Sequence, residues 1–209
     1  MTGEGTPRRR LPLEDCSTGL ISAGVPVTLA NLLTVFRLIL VPFFLMAVFY
    51  GHARVALVIF LCAGITDGLD GFIARFFNQR TALGAFLDPM ADKLMLTSAF
   101  VALAIPETGL AYSIPVWLPV LTIARDVVIV LLSLLLNLAF NLKQFPPSVP
   151  GKMTTFFQIS FVVAVLLQNA YFFPSEVVAG LMWTVAFFTV FSGIHYLWRM
   201  RSMTKGVNS

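Results

Sequence analysis

Between Thr66 and Lys93 the chain reads TDGLDGFIARFFNQRTALGAFLDPMADK, and this stretch restricts the fold more than any other. Four aspartates, Asp67, Asp70, Asp88 and Asp92, sit inside a chain that elsewhere avoids charge. The first two are spaced i, i+3 and the last two i, i+4, so each pair shares one face of a helix. A polar turn, Asn78-Gln79-Arg80-Thr81, separates the pairs. If two helices run antiparallel about that turn, Asp67 and Asp92 fall at one depth. Asp70 and Asp88 then fall at a second depth, about one helical turn nearer the reversal. Four carboxylates facing one volume repel one another and are costly to dehydrate. Divalent metal resolves both problems, and an all-oxygen carboxylate set suits Mg2+ or Mn2+.

The rest of the chain supplies the surroundings. Of its 209 residues, 58% are hydrophobic and 11% charged, and the mean hydropathy is +0.88. Those values place the chain in a bilayer rather than in a soluble core. The formal net charge of +4 comes from basic residues spread between apolar runs with no clustered patch, so nucleic acid is not an expected partner. Cys16 and Cys62 show no disulfide or metal-ligand spacing. Cys62, in an apolar run, is expected to be a buried small hydrophobe, and Cys16 an incidental thiol in a polar tail. Arg8-Arg9-Arg10 leads into LPLEDCSTG, which is too polar for the apolar region of a cleavable signal.

The chain reads as an all-α integral membrane protein with six transmembrane helices. Residues 1–25 form a flexible tail, 26–199 the six-span domain and 200–209 a basic tail. The first span covers about 29–50 and the second runs from just after His52 to about 77. The others fall at about 82–105, 115–139, 152–172 and 177–197. The apolar part of the second, Val55 to Ile65, is about half of the twenty or so residues a bilayer needs. The turns from Asp67 to Arg75 must therefore also lie at membrane depth, facing protein or a wet cavity. The third span is the mirror image, acidic half first and apolar half second, which predicts that the second and third helices are partners. Asn31, Thr34 and Arg37 form a polar stripe at i, i+3, i+6 on the first span, and Arg125-Asp126 interrupts the fourth. Adjacent helix positions point apart, so Arg125 and Asp126 are not expected to bridge each other; Asp126 is free to neutralise a cation on a neighbouring helix. His52 and His195 read as interface residues. Six spans put both termini on one side. That side gathers Arg8 to Arg10, Arg75, Arg80, Lys143, Lys152, Arg199, Arg201 and Lys205, against Arg54 on the other. The positive-inside rule makes the shared side cytoplasmic. The expected protein is thus a multi-pass protein of the cell (inner) membrane, with an intramembrane site open to the cytoplasm.

The acidic stretch fits D-x-x-D-G-x-x-A-R-(x)8-G-(x)3-D-(x)3-D without a gap, at Asp67, Asp70, Gly71, Ala74, Arg75, Gly84, Asp88 and Asp92. This resembles the signature of the CDP-alcohol phosphatidyltransferases, integral membrane enzymes of phospholipid synthesis, and the resemblance extends from about Pro26 to Trp198. It implies a reaction in which an alcohol hydroxyl attacks the β-phosphorus of a CDP-linked lipid and CMP leaves. The implied ligands of two metal ions are Asp67, Asp70 and Asp88, with Asp92 completing the site and acting as general base. Gly71 and Gly84, about one helical turn from Asp67 and Asp88, let a flat nucleotide approach the backbone. Arg75 offers a bidentate fork to phosphate, and Thr81, Asn31 and Thr34 are further implied contacts to the CDP-lipid. Arg37, Arg125 and Lys152 are cations at or within the cytoplasmic half and need an anionic partner, which a phosphate-bearing acceptor would supply.

Asn31 to Arg37, FLDPMADK at 86–93 and SGIHY at 192–196 resemble the bacterial subset that uses CDP-diacylglycerol and sn-glycerol 3-phosphate. That subset usually carries a bulky aromatic where this chain has Gly68, and Arg-Glu where it has Arg125-Asp126. The latter pair, with GFIARFFNQRTALG, resembles the subset whose acceptor is phosphatidylglycerol. Family members are commonly homodimers, and membrane lipid is a further implied partner. From a different class, four intramembrane acids would suit an ion- or proton-coupled transporter, a reading that leaves Gly71, Arg75 and Gly84 unexplained.

Overall fold

The chain is described by a computed structural model at residues 29–76, 82–140, 149–171 and 173–205. These residues form six helices: α1 (Leu29–Phe49), α2 (Ala53–Phe76), α3 (Ala82–Ala104), α4 (Trp117–Phe140), α5 (Val149–Ala170) and α6 (Ser175–Lys205). Thr81, Cys16 and the expected tail 1–25 lie outside the described residues, as do residues 206–209 of the expected basic tail 200–209; residues 200–205 of that tail instead continue α6. Within the described residues α1, α5 and α6 each contain a stretch long and apolar enough to cross a membrane: Leu32–Phe49, Gly151–Ala170 and Ser175–Trp198. The helices that carry the acids, α2 and α3, interrupt their apolar runs with charge.

Local chemistry fixes the helix ends. Gly51 has φ +73°, the left-handed conformation that costs glycine least. It closes α1 in a Schellman motif: the Gly51 N–H donates to the Val48 carbonyl at 3.0 Å and the His52 N–H to the Ala47 carbonyl at 2.8 Å. Gly51 is also where the α1–α2 turn meets the α3–α4 loop. A Cβ there would lie 2.5 Å from the Gly109 carbonyl oxygen. Asn169 of α5 grips the same loop, accepting from the Tyr112 N–H at 2.8 Å and donating to the Tyr112 carbonyl at 3.0 Å. Arg54, at the start of α2, lies 5.2 Å from the Tyr171 ring centroid and donates to the Ala170 carbonyl. This end of the bundle is therefore tied together by loops, opposite the end that carries the acidic motif.

Helix neighbours close a ring in the order α1, α2, α5, α6, α4, α3, and α3 also touches α5 across its middle. The apolar core follows the ring. Phe44 of α1 meets Phe60 of α2 with centroids 5.8 Å apart, and Phe100 of α3 stacks on Phe161 of α5 at 5.9 Å. All four rings are buried, and in a bundle of membrane character close van der Waals packing, with the preferred ring geometries, favours such contacts. Among the described residues α2 and α3 both pack on α1; most of the turns next to the reversal, where their expected pairing falls, lie outside the described side chains. One expectation for α2 is corrected. Cys62 is exposed, not buried, because the inward face of α2 is taken by Ala56, Phe60 and Ala63.

Candidate active site

The α3–α5 contact divides the interior of the ring. On one side α1, α2, α3 and α5 surround a cavity of about 130 Å3 into which Arg37, Asp67 and Asp92 open. On the other, α3, α4, α5 and α6 surround one of about 600 Å3 lined by Lys93, Arg125, Asp126, Lys152 and Tyr196. Thr155 of α5 lines both. Asp92 and Lys93 are neighbours in α3, yet they open into different cavities, because successive side chains on a helix leave it in different directions.

In the first cavity Arg37 organises the acids. Its side chain is 1% exposed. Nη2 sits 3.0 Å from Asp67 Oδ1, and Nη1 donates to Asp92 Oδ1 at 2.7 Å. A guanidinium presents several N–H groups in a rigid plane, so one cation can serve two carboxylates from different helices. The acidic turns of α2 and α3 are thus joined through α1, and the carboxylates remain 45% and 49% exposed. Thr34, one turn before Arg37, is fully buried. Gly64 lines the same cavity, and neither it nor Gly68 has any atom within 4 Å of where a Cβ would stand. The α2 backbone is therefore open to a flat ligand at Gly64, a position sequence reasoning missed although it lies one turn before Asp67. Asp70 lies one turn beyond Asp67 in α2, and Asp88 one turn before Asp92 in α3. The side chains of Asn31, Asp70, Arg75 and Asp88, and the surroundings of Gly71 and Gly84, lie outside the described residues.

The second cavity is cationic on mostly apolar walls. Arg125 Nη1 donates to Asp126 Oδ1 at 2.7 Å and Nη2 to Ser192 Oγ at 2.5 Å. Arg125 Nε is buried and has no hydrogen-bond partner among the described residues. The Lys93 ammonium donates to Asp126 Oδ2 at 2.5 Å. Asp126 therefore does neutralise a cation on a neighbouring helix. It also bridges Arg125, contrary to expectation: an arginine side chain is long enough to fold back along its own helix to the next residue. The expected cation trio is divided, with Arg125 and Lys152 in this cavity and Arg37 in the acidic one. Lys93, Thr155, Ser192 and Tyr196 were not foreseen as site residues. Lys93 had a signal, standing next to an aspartate in the acidic motif.

An all-helical bundle of membrane character, with a split interior that sets clustered acids beside clustered cations, suits transfer of a phosphorylated group. The family model for CDP-alcohol phosphatidyltransferase matches residues 27–191, and the chain belongs to that family. Among its relatives is a probable phosphatidylglycerophosphate synthase of Mycobacterium tuberculosis, 35% identical over 190 residues, covering 87% of this chain and 86% of that one. A CDP-diacylglycerol–glycerol-3-phosphate 3-phosphatidyltransferase of Bacillus subtilis is 33% identical, covering 80% and 92%. A human cardiolipin synthase (CMP-forming) is 30% identical, covering 82% of this chain and 62% of that one.

Proposed function

We propose that this protein transfers the phosphatidyl group of CDP-diacylglycerol to sn-glycerol 3-phosphate, releasing CMP and forming phosphatidylglycerophosphate. One observation carries the reading: the acid-lined cavity and the cation-lined cavity adjoin at Thr155, with Asp92 on one side and Lys93 on the other. The nucleotide-lipid pyrophosphate belongs at the acids and the acceptor phosphate at the cations. In the second cavity three cations, Lys93, Arg125 and Lys152, stand against one carboxylate, Asp126, leaving two formal positive charges. A phosphate monoester near neutral pH carries close to two negative charges and is matched, whereas a phosphodiester carries one.

Asp67 and Asp92 converge on one cavity, with Asp70 and Asp88 a turn away on the same helices. Among the described residues two carboxylates face this cavity and no group of three metal-binding side chains forms; with Asp70 and Asp88 added, an all-oxygen set of this kind would hold Mg2+ or Mn2+, two ions being the expectation. Such ions would supply charge neutralisation for the pyrophosphate and the departing CMP. The protein's own residues do the rest. Arg37 holds Asp67 and Asp92 together, Arg125 and Lys152 orient the acceptor phosphate, and Asp92 accepts the proton of the attacking hydroxyl. A P–O bond to the acceptor oxygen forms as the bond between the β-phosphorus and the CMP oxygen breaks. Six crossings would place this site in the cytoplasmic half of the cell membrane with both termini in the cytoplasm, as the distribution of basic residues supports.

A second reading, a CMP-forming cardiolipin synthase acting on phosphatidylglycerol, is favoured by Arg125-Asp126 and by the human relative. Purified protein incubated with CDP-diacylglycerol and each acceptor separately, with mass spectrometry of the lipid product, separates the two. Phosphatidylglycerophosphate is the expected product; cardiolipin alone would replace the first reading by the second.

A further inference from the structure

Asp126 has no part in the chemistry outlined above, yet it sits at the centre of the cationic cavity. Its two oxygens take the Lys93 ammonium and the Arg125 guanidinium, one each. The carboxylate is 23% exposed and Arg125 only 10%, so that pair is less screened than a surface one, whereas Lys93 is 46% exposed and its pair is more open to water. The two cations also come from different helices, α3 and α4, and no other described carboxylate lines this cavity. Arg125 keeps one buried donor, Nε, without a partner among the described residues. Lys152 opens into the same space and makes no ion pair among the described residues.

We propose that Asp126 is an internal competitor for the acceptor's phosphate, and so sets how tightly this cavity holds a phosphate monoester. The inference rests on the acceptor reading above and deepens it. Lys152 and Arg125 Nε meet the incoming phosphate first. Lys93 and the Arg125 Nη1 donor then transfer from the carboxylate to the phosphate oxygens. The exchange conserves charge-assisted hydrogen bonds on the cations and leaves Asp126, which is partly exposed, to solvent. Acceptor affinity is therefore lower than three cations would give alone, which allows a phosphorylated product to leave the same cations. A carboxylate that only oriented Arg125 would have the opposite effect on affinity.

The test uses the full chain in detergent or nanodiscs, with inorganic phosphate as the probe and calorimetry as the readout. Asp126→Asn keeps the shape and removes the competing charge. It is expected to bind inorganic phosphate about five- to tenfold more tightly than wild type, the range for freeing two cations from partly screened ion pairs. Asp126→Ser serves the same purpose should asparagine not give folded protein. Equal or weaker phosphate binding by the folded variant overturns the proposal. Turnover with glycerol 3-phosphate is measured on wild type alongside. Wild type that makes phosphatidylglycerophosphate, with phosphate affinity unaffected by Asp126→Asn, removes the exchange and leaves the acceptor reading standing. Wild type that uses only phosphatidylglycerol, with the variant binding phosphate more tightly, removes the acceptor reading and leaves the competition standing.

Discussion

Replacing Arg37 with leucine isolates the contact that joins the acid-bearing helices. The guanidinium serves Asp67 at 3.0 Å and Asp92 at 2.7 Å. A hydrogen bond to a charged group contributes about 1.5–3 kcal/mol when well made. Both carboxylates are nearly half exposed, at 45% and 49%, so water returns much of that when the cation is removed. Breaking a fully buried pair costs about 3–5 kcal/mol, and the expected loss here is smaller, about 2 kcal/mol. Leucine replaces part of the buried arginine stem, which limits any cavity term. For a chain of this size a loss of about 2 kcal/mol lowers the unfolding midpoint by about 4–8 °C. Intrinsic tryptophan fluorescence during thermal unfolding in detergent reads this shift. Arg37→Lys should fall between wild type and leucine, because a compact ammonium cannot offer the same planar fork to two helices. Mn2+ should raise the midpoint of the leucine variant more than that of wild type, since the acids no longer share a guanidinium and the ion stabilises whichever form binds it. A leucine variant that melts within about 1 °C of wild type would show that Arg37 does not hold the acids together.

Asp67→Asn, Asp70→Asn and Asp88→Asn should each lower CMP release by at least about a hundredfold in metal-replete protein, as expected when a ligand of a charge-neutralising ion is lost; near-normal release by any one removes that residue from the ligand set. Arg125→Ala and Lys152→Ala should raise the KM for glycerol 3-phosphate by about tenfold or more while leaving the KM for CDP-diacylglycerol nearly unchanged. Equal effects on both substrates would mean that the two cavities do not divide the substrates. Gly51→Ala should destabilise by about 1–3 kcal/mol, because the residue combines a left-handed φ with a loop-to-loop approach that leaves no room for a methyl group; an unchanged unfolding midpoint would show that the two loops yield freely.

Much of this arrangement can be read before any coordinates. The apolar runs and the breaks between them predict six helices; α1 to α5 follow with small shifts at their ends, and α6 runs on to Lys205, about two turns past its apolar run, because nothing in its basic end breaks a helix. The spacing of the aspartates from the polar turn predicts that Asp67 and Asp92 share a depth, and Arg37 touches both. What the sequence does not contain is the order in which remote helices pack. Periodicity says which face of a helix is polar but not which neighbour it meets. The packing of both α2 and α3 on α1, and the separation of Arg37 from Arg125 and Lys152, therefore emerge only from the packed bundle. The Arg125–Asp126 contact departs from the helix-face rule for a different reason. The rule that adjacent residues point apart describes Cβ directions, and a long flexible side chain is not bound by it. Lys93 and Tyr196 lay within segments already singled out, but nothing in their spacing assigns them to one chamber.

Asp92 and Lys93 are consecutive on a continuous helix and open on opposite sides of the partition that α3 and α5 form. Their backbones are joined by a single peptide unit of about 3.8 Å, which a hydrogen-bonded helix cannot stretch. Neither chamber can therefore move this part of its wall alone. A displacement of α3 that opens or closes one chamber carries the neighbouring residue of the other with it.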